Sequence, residues 1–167
     1  MEIAPELLRE GMRHWTTGVT VVTTQAEGIR HGMTVNSFTS ISLSPPLILV
    51  SLERSSKTYG LVKKAGFFGV SILSDGQQDI SDCFAGRHTE KENRFSNIST
   101  HTLVTGAPFI DGGLAYFDCH TVDTYEAGTH TLFIAEVLAI ELAEPEAAEN
   151  KSHPLVYYNR SYRRLQP

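Results

Sequence analysis

Two long runs, Leu114 to Tyr125 and Thr131 to Ala143, alternate apolar with polar residues and are separated only by Glu126-Ala-Gly-Thr129. Period-two alternation marks strands with one buried face, and a short glycine-bearing connector between two such runs predicts a β-hairpin. Gly18-Val-Thr-Val-Val-Thr-Thr24 is β-branched almost without interruption, a further strand signal, and Ala26-Glu-Gly28 forms the next turn. The stretch 33–44, MTVNSFTSISLS, follows as a strand rich in hydroxyls, and Pro45-Pro46 makes a corner. Leu47 to Leu52 reads as a strand buried on both faces, Phe67 to Leu73 as another, and Leu155 to Tyr158 as a last short one.

Helical signals are few. Ala4 to Trp15 has Pro5 at its start and places Leu8, Met12 and Trp15 on one face, so Met12 and Trp15 are expected in the core. Lys57 to Ala65 follows Ser55-Ser56 and stops at Gly66, and Gln77 to Phe84 puts Ile80, Cys83 and Phe84 on one side. The segment 86–110 is polar and reads as loop. Six or seven strands without a βαβ rhythm predict a mainly β chain with a few helices, built as a small antiparallel barrel. With 167 residues, 41% of them hydrophobic, the chain is expected to form a single domain.

A net charge of −5 argues against nucleic-acid and anionic-membrane partners, and the longest apolar run, Leu47 to Leu52, is too short to cross a bilayer. The N-terminal MEIAPELLREGMRHW is charged throughout, unlike a secretory leader. Cys83 and Cys119 are the only cysteines, and free thiols in a reducing, cytoplasmic setting are expected. Neither standard nucleotide loop, no G-x-S-x-G elbow and no H-E-x-x-H occurs. The seven histidines are scattered, and no metal site is expected.

The strongest positive feature is Leu52-Glu-Arg-Ser-Ser-Lys-Thr58, where a strand ends and a helix begins amid three hydroxyls and a cation. Free N–H groups at a helix start suit an anion, although on this segment alone the reading of Ser55 or Ser56 as an N-cap is favoured. Beside it, a planar polar ligand lying along the hydroxyl-rich strand would use Thr34, Asn36 and Ser37 while its phosphate reached the helix start. A strand with a simply polar outer face is the plainer alternative.

In Thr17-Gly-Val-Thr-Val-Val-Thr-Thr24, Gly32-Met-Thr-Val-Asn-Ser-Phe-Thr-Ser40, Ser44-Pro-Pro-Leu47 and Arg54-Ser-Ser56, the chain resembles the flavin reductase components of two-component flavin monooxygenases. Phe84-Ala-Gly86, Lys91 to Phe95, Gly128-x-His130 and Tyr157-Tyr158 continue the resemblance in the same order. It implies a split antiparallel β-barrel of the FMN-binding type, with an N-terminal helix over 1–16, a barrel with helical insertions over 17–165, and a homodimer. It also implies reduction of FMN or FAD by hydride from NADH or NADPH, and release of reduced flavin to a partner oxygenase. The same fold also admits a non-catalytic flavin- or haem-binding protein, or a flavoenzyme with tightly bound FMN and another electron acceptor.

By this resemblance, Thr34, Val35, Asn36 and Ser37 line the isoalloxazine, with Ser51 and Leu52 close by. Ser55, Ser56 and Thr58 hold the phosphate, and Lys57 adds charge. Phe84 and Ala85 touch the flavin, and Lys91 is a further phosphate or nucleotide contact. His130 positions the nicotinamide, and Tyr157, Tyr158 and Arg160 border that cofactor. Many relatives carry an acidic residue where Thr129 precedes His130.

Overall fold

The computed structural model describes residues 3–87, 93–143 and 153–165. Its frame is one seven-stranded antiparallel sheet: β2 (Thr20–Ala26), β3 (Ile29–Val35), β4 (Thr39–Leu43), β5 (Pro46–Glu53), β6 (Phe67–Ile72), β9 (Ala115–Ala127) and β10 (His130–Leu142). The order is β3-β2-β6-β9-β10-β5-β4, so the two edge strands are consecutive in sequence. Only Asn36, Ser37 and Phe38 join them, which requires the sheet to curl until its edges nearly meet. This is a split barrel. The hairpin expected around residues 126–129 is the β9–β10 pair, with His130 opposite Ala127 and Gly128 at φ +59°.

Four smaller strands complete the β structure. β1 (Thr17–Gly18) pairs with β11 (Val156–Tyr158), β11 pairs with β12 (Ser161–Arg163), and β7 (Thr100–Thr102) pairs with β8 (Pro108–Ile110). Three helices accompany them: α1 (Pro5–Met12), α2 (Lys57–Ala65) and α3 (Gln78–Phe84). Ser56 caps α2 by accepting a hydrogen bond from the Tyr59 N–H at 3.2 Å, and Gly66 ends it in the left-handed region at φ +75°.

The barrel interior is filled by Val22, Val50, Leu52, Phe68, Val70 and Phe133, and α2 adds Val62 to it. Burying one such side chain contributes about 1.5–3 kcal/mol. A second cluster lies on the other face of β2, where Val19 and Val21 meet Leu73, Phe84, Phe95, Ile110 and Leu155. Five consecutive residues of β2, Thr20 to Thr24, are therefore buried. Its threonine hydroxyls avoid a desolvation penalty by donating to carbonyls: Thr20 to Val35 at 3.1 Å, Thr23 to Pro108 at 2.5 Å and Thr24 to Phe67 at 2.8 Å.

Several sequence expectations are corrected. Residues 33–44 form two strands at opposite edges of the sheet, broken at 36–38. Ser37 explains the break: its hydroxyl donates to the Ser51 carbonyl at 2.9 Å and accepts the Ser51 N–H at 3.1 Å, pinning the connection onto β5. β5 is not buried on both faces but alternates, with Ile48, Val50 and Leu52 inward. The segment 86–110, read as loop, contains β7 and β8 and buries Phe95, Ala107, Phe109 and Ile110. Gly69 admits this packing, since a Cβ there would lie 2.6 Å from the Phe109 ring. Met12 and Trp15 are not core residues: α1 buries nothing, and Trp15 is 67% exposed. Both cysteines are free and buried, as expected.

Candidate functional site

Two clefts flank β3, one at each end. The first opens at its C-terminal end and is lined by Val19, Thr34, Val35, Asn36, Ser81 and Ala85, with Arg87, Tyr157 and Tyr162 opposite. Sequence reasoning selected five of these residues: Thr34, Val35, Asn36, Ala85 and Tyr157. The floor is apolar and the rim polar, the pattern that holds a heteroaromatic ring and reads its edges. Asn36 is exposed and is shared with two adjoining grooves, one beside Met12 and Trp15 and one beside Arg13 and Arg160.

A hydrogen-bonded wall backs this cleft. The Thr34 hydroxyl donates to the Ser81 carbonyl at 2.7 Å. The Tyr162 hydroxyl lies 2.7 Å from Asp82 Oδ1 and 2.8 Å from Ser81 Oγ. Burial, together with the Asp82 carboxylate, pushes the Tyr162 phenol above its ordinary pKa, so it stays protonated and donates. Arg87 pairs with Asp82 at 2.7 Å and lies over the Tyr162 ring, 5.7 Å from its centroid.

The second cleft lies at the N-terminal end of β3 and is lined by Gly28, Arg30, His31, Lys57, Arg94 and Phe95, with Ile29 and Asn93 between them. Arg94 donates from Nη1 to the carbonyls of Gly32 and Phe84 at 2.9 and 2.8 Å, and so ties β3 to the end of α3. Arg30 stacks 4.7 Å from the Phe95 ring centroid. His31 Nδ1 is 2.9 Å from Thr58 Oγ1. Burial, then the charges of Arg94 and Lys57, lowers the His31 pKa to about 4, so its imidazole is neutral near pH 7. Three cations beside the first turn of α2 make this end of the strand anion-seeking.

The remaining expected residues divide. Ser37 and Ser51 are bonded to each other. Ser55 is exposed at the start of α2, and the hydroxyl of Ser56 is taken up by its own helix. His130 is exposed at the hairpin tip, opposite Glu53 and 2.9 Å from Thr129 Oγ1 through Nδ1. The Arg54 N–H donates to the Thr129 carbonyl at 3.0 Å, which holds this tip beside the α2 start and outside the lining of the β3 C-terminal cleft. Tyr158 and Arg160 are exposed, with Arg160 in a left-handed turn at φ +59°. Leu52 and Phe84 are 0% exposed and belong to the two cores, and Thr58 is equally buried against His31. Lys91 lies outside the described residues. Sequence reasoning did not select Arg30, His31, Ser81, Asp82, Arg87, Arg94 or Tyr162.

The model of the flavin reductase like domain matches residues 12–166. The chain belongs to this family. An NADH-dependent flavin reductase of a Rhodococcus species is 36% identical over 169 residues, covering 99% of this chain and 89% of that protein. The reductase component of a 4-nitrophenol 4-monooxygenase/4-nitrocatechol 2-monooxygenase from Rhodococcus opacus is 33% identical, over 95% of this chain and 80% of its own. A solved NADH:FAD oxidoreductase of Streptomyces globisporus, in complex with NAD and FAD fragments, superposes with a TM-score of 0.87 at 31% identity, covering 100% of this chain and 98% of that one. Among the described residues, no helix is long and apolar enough to cross a membrane.

Proposed function

We propose that the protein is an NAD(P)H-dependent flavin reductase that reduces FMN or FAD and hands the reduced flavin to a partner oxygenase. The observation that carries this reading is the pairing of a ring-sized, polar-rimmed cleft with a cationic cleft at opposite ends of one strand, in a chain of this family. The residues fit a flavin: Thr34, Val35 and Asn36 would border its ring, while Lys57, Arg30 and the exposed Ser55 at the start of α2 would face its phosphate. When bound, the flavin would supply the acceptor for hydride from the dihydronicotinamide. The chain supplies orientation and exclusion of water, which is why no triad or metal is needed. Tyr157 and Arg160 would border the nicotinamide side, and His130, at the hairpin tip beside the α2 start, is the side chain expected to contact the nicotinamide cofactor. The cytoplasm, where NADH is supplied and thiols stay reduced, is the compartment this reading requires.

A homodimer belongs to the same proposal. Leu49 and Ile134 sit opposite each other on the outer face of the barrel, with Leu132 opposite Ser51 and Leu43 exposed near the corner. An apolar sheet face of this kind is covered in a soluble enzyme, and a second copy is the occupant that also closes the open side of the site. Ile134→Asp is expected to leave monomers in sedimentation, while the unchanged protein sediments as two chains.

The decisive assay follows NADH and NADPH oxidation with and without added FMN and FAD. Consumption that depends on added flavin is expected; a Soret band, or flavin binding without turnover, would sink the reductase reading. In stopped flow, His130→Ala is expected to slow hydride transfer at least tenfold while flavin affinity changes less than threefold, the order of magnitude of a misplaced donor.

A further inference from the structure

Among the described residues, Arg87 is the charged side chain that lines the cleft at the C-terminal end of β3. It is braced rather than loose: Nη1 is 2.7 Å from Asp82 Oδ1, Nη2 is 3.4 Å from the Tyr157 hydroxyl, and the guanidinium lies over Tyr162. Asp82 also accepts from Tyr162, and the neighbouring Ser81 carbonyl accepts from Thr34. The contacts therefore run unbroken from the wall of the cleft to the guanidinium. A cation held this way needs no reorganisation when negative charge develops near it.

A phosphate does not account for a cation at this end. Arg30 and Lys57 stand toward the opposite end of β3, with Arg30 about 13 Å from Thr34 at about 3.3 Å per residue, while Arg94 is held at mid-strand by the Gly32 carbonyl and at the end of α3 by the Phe84 carbonyl. The ring end meets a different charge. Hydride transfer would bring two electrons and one proton to a bound flavin and leave the nicotinamide as its oxidised cation; with no second proton added, the reduced ring would carry negative charge along its N1–C2 oxygen edge. We propose that Arg87 selectively stabilises this reduced, anionic ring over the oxidised, neutral one, and so raises the reduction potential of bound flavin. The inference rests on the flavin reading given above.

The test measures the midpoint potential of bound flavin, with the dissociation constants of oxidised and reduced flavin, in the unchanged protein and in Arg87→Gln, Arg87→Lys and Asp82→Asn. Arg87→Gln is expected to weaken the reduced form about tenfold more than the oxidised form, which lowers the potential by about 30 mV for a two-electron couple. Arg87→Lys recovers part of that shift. Asp82→Asn keeps polar partners for Tyr162 and Arg87 but removes the opposing charge, and shifts the potential upward. A merely structural role would move Arg87→Gln and Asp82→Asn in the same direction. Equal weakening of both redox forms, an unchanged potential, or an effect confined to the KM for NADH overturns the proposal. Failure of the unchanged protein to bind flavin overturns the flavin reading itself, a separate and recognisable result.

Discussion

Among the described residues, three cations line the cleft at the Ile29 end of β3, whereas at its Val35 end an arginine shares the wall with hydroxyls and an amide. One strand thus presents long-range charge at one end and short-range hydrogen-bonding geometry at the other. The two ends should respond differently to the same ligand once it is cut in half. The cationic end senses the phosphate and is sensitive to salt; the polar-rimmed end senses only the ring.

The largest effect that could break this contrast is at Lys57. Lys57→Glu replaces attraction by repulsion and is expected to weaken FMN binding about 100-fold, roughly 3 kcal/mol, the scale of a charge-assisted contact. Riboflavin, which has the ring but no phosphate, should bind within about twofold of its normal affinity in fluorescence titration. An equal loss for both ligands would end the division of labour.

His31 gives an intermediate effect through pH. Its folded pKa of about 4 lies below the ordinary value of 6.5, so the unfolded chain binds the proton more readily. The contribution to stability is therefore complete above pH 6.5 and is lost as pH falls towards 4. For a half-buried imidazole this amounts to about 1–2 kcal/mol after allowance for solvent screening. His31→Gln should flatten that part of the stability-against-pH curve in denaturant titrations. A bound phosphate dianion should raise the His31 pKa, visible in its imidazole NMR shifts, whereas riboflavin should leave it in place.

The smallest effect belongs to the other end. Asn36→Ala removes a neutral hydrogen-bonding group and should cost about 1 kcal/mol, roughly fivefold in affinity, equally for riboflavin and FMN. A larger loss for FMN would show that Asn36 reads the phosphate half as well.

Much of the frame was legible because its signals are local. The Ser56 cap and the Gly66 stop bracket α2 at the expected residues, and Ala-Gly between alternating runs announces the β9–β10 hairpin. The break at 36–38 falls on Asn36 and Ser37, which favour turns but come without glycine or proline; it is fixed by the bond between Ser37 and Ser51, fourteen positions apart. The face of α1 read as core by periodicity is open, because amphipathicity predicts that a face will be covered but not by which chain.

The same division runs through the site. Thr34, Val35 and Asn36 sit together on one short segment, so a segment-level reading reached them. Arg87, Asp82 and Tyr162 converge only because β11 and β12 fold back through Asn159 and Arg160, two left-handed residues without the glycine that usually signals such a turn. Arg30 and Arg94 likewise meet through tertiary packing alone, with Phe95 as the bridge.

The three-residue bridge between β3 and β4 joins the two edges of the sheet, so the placement of residues 34–37 depends on every strand that lies between those edges. A ligand held there draws on the whole domain, so its binding energy should appear as slower global opening in amide hydrogen exchange, including at the buried centre of β2, and not merely as a quieter rim.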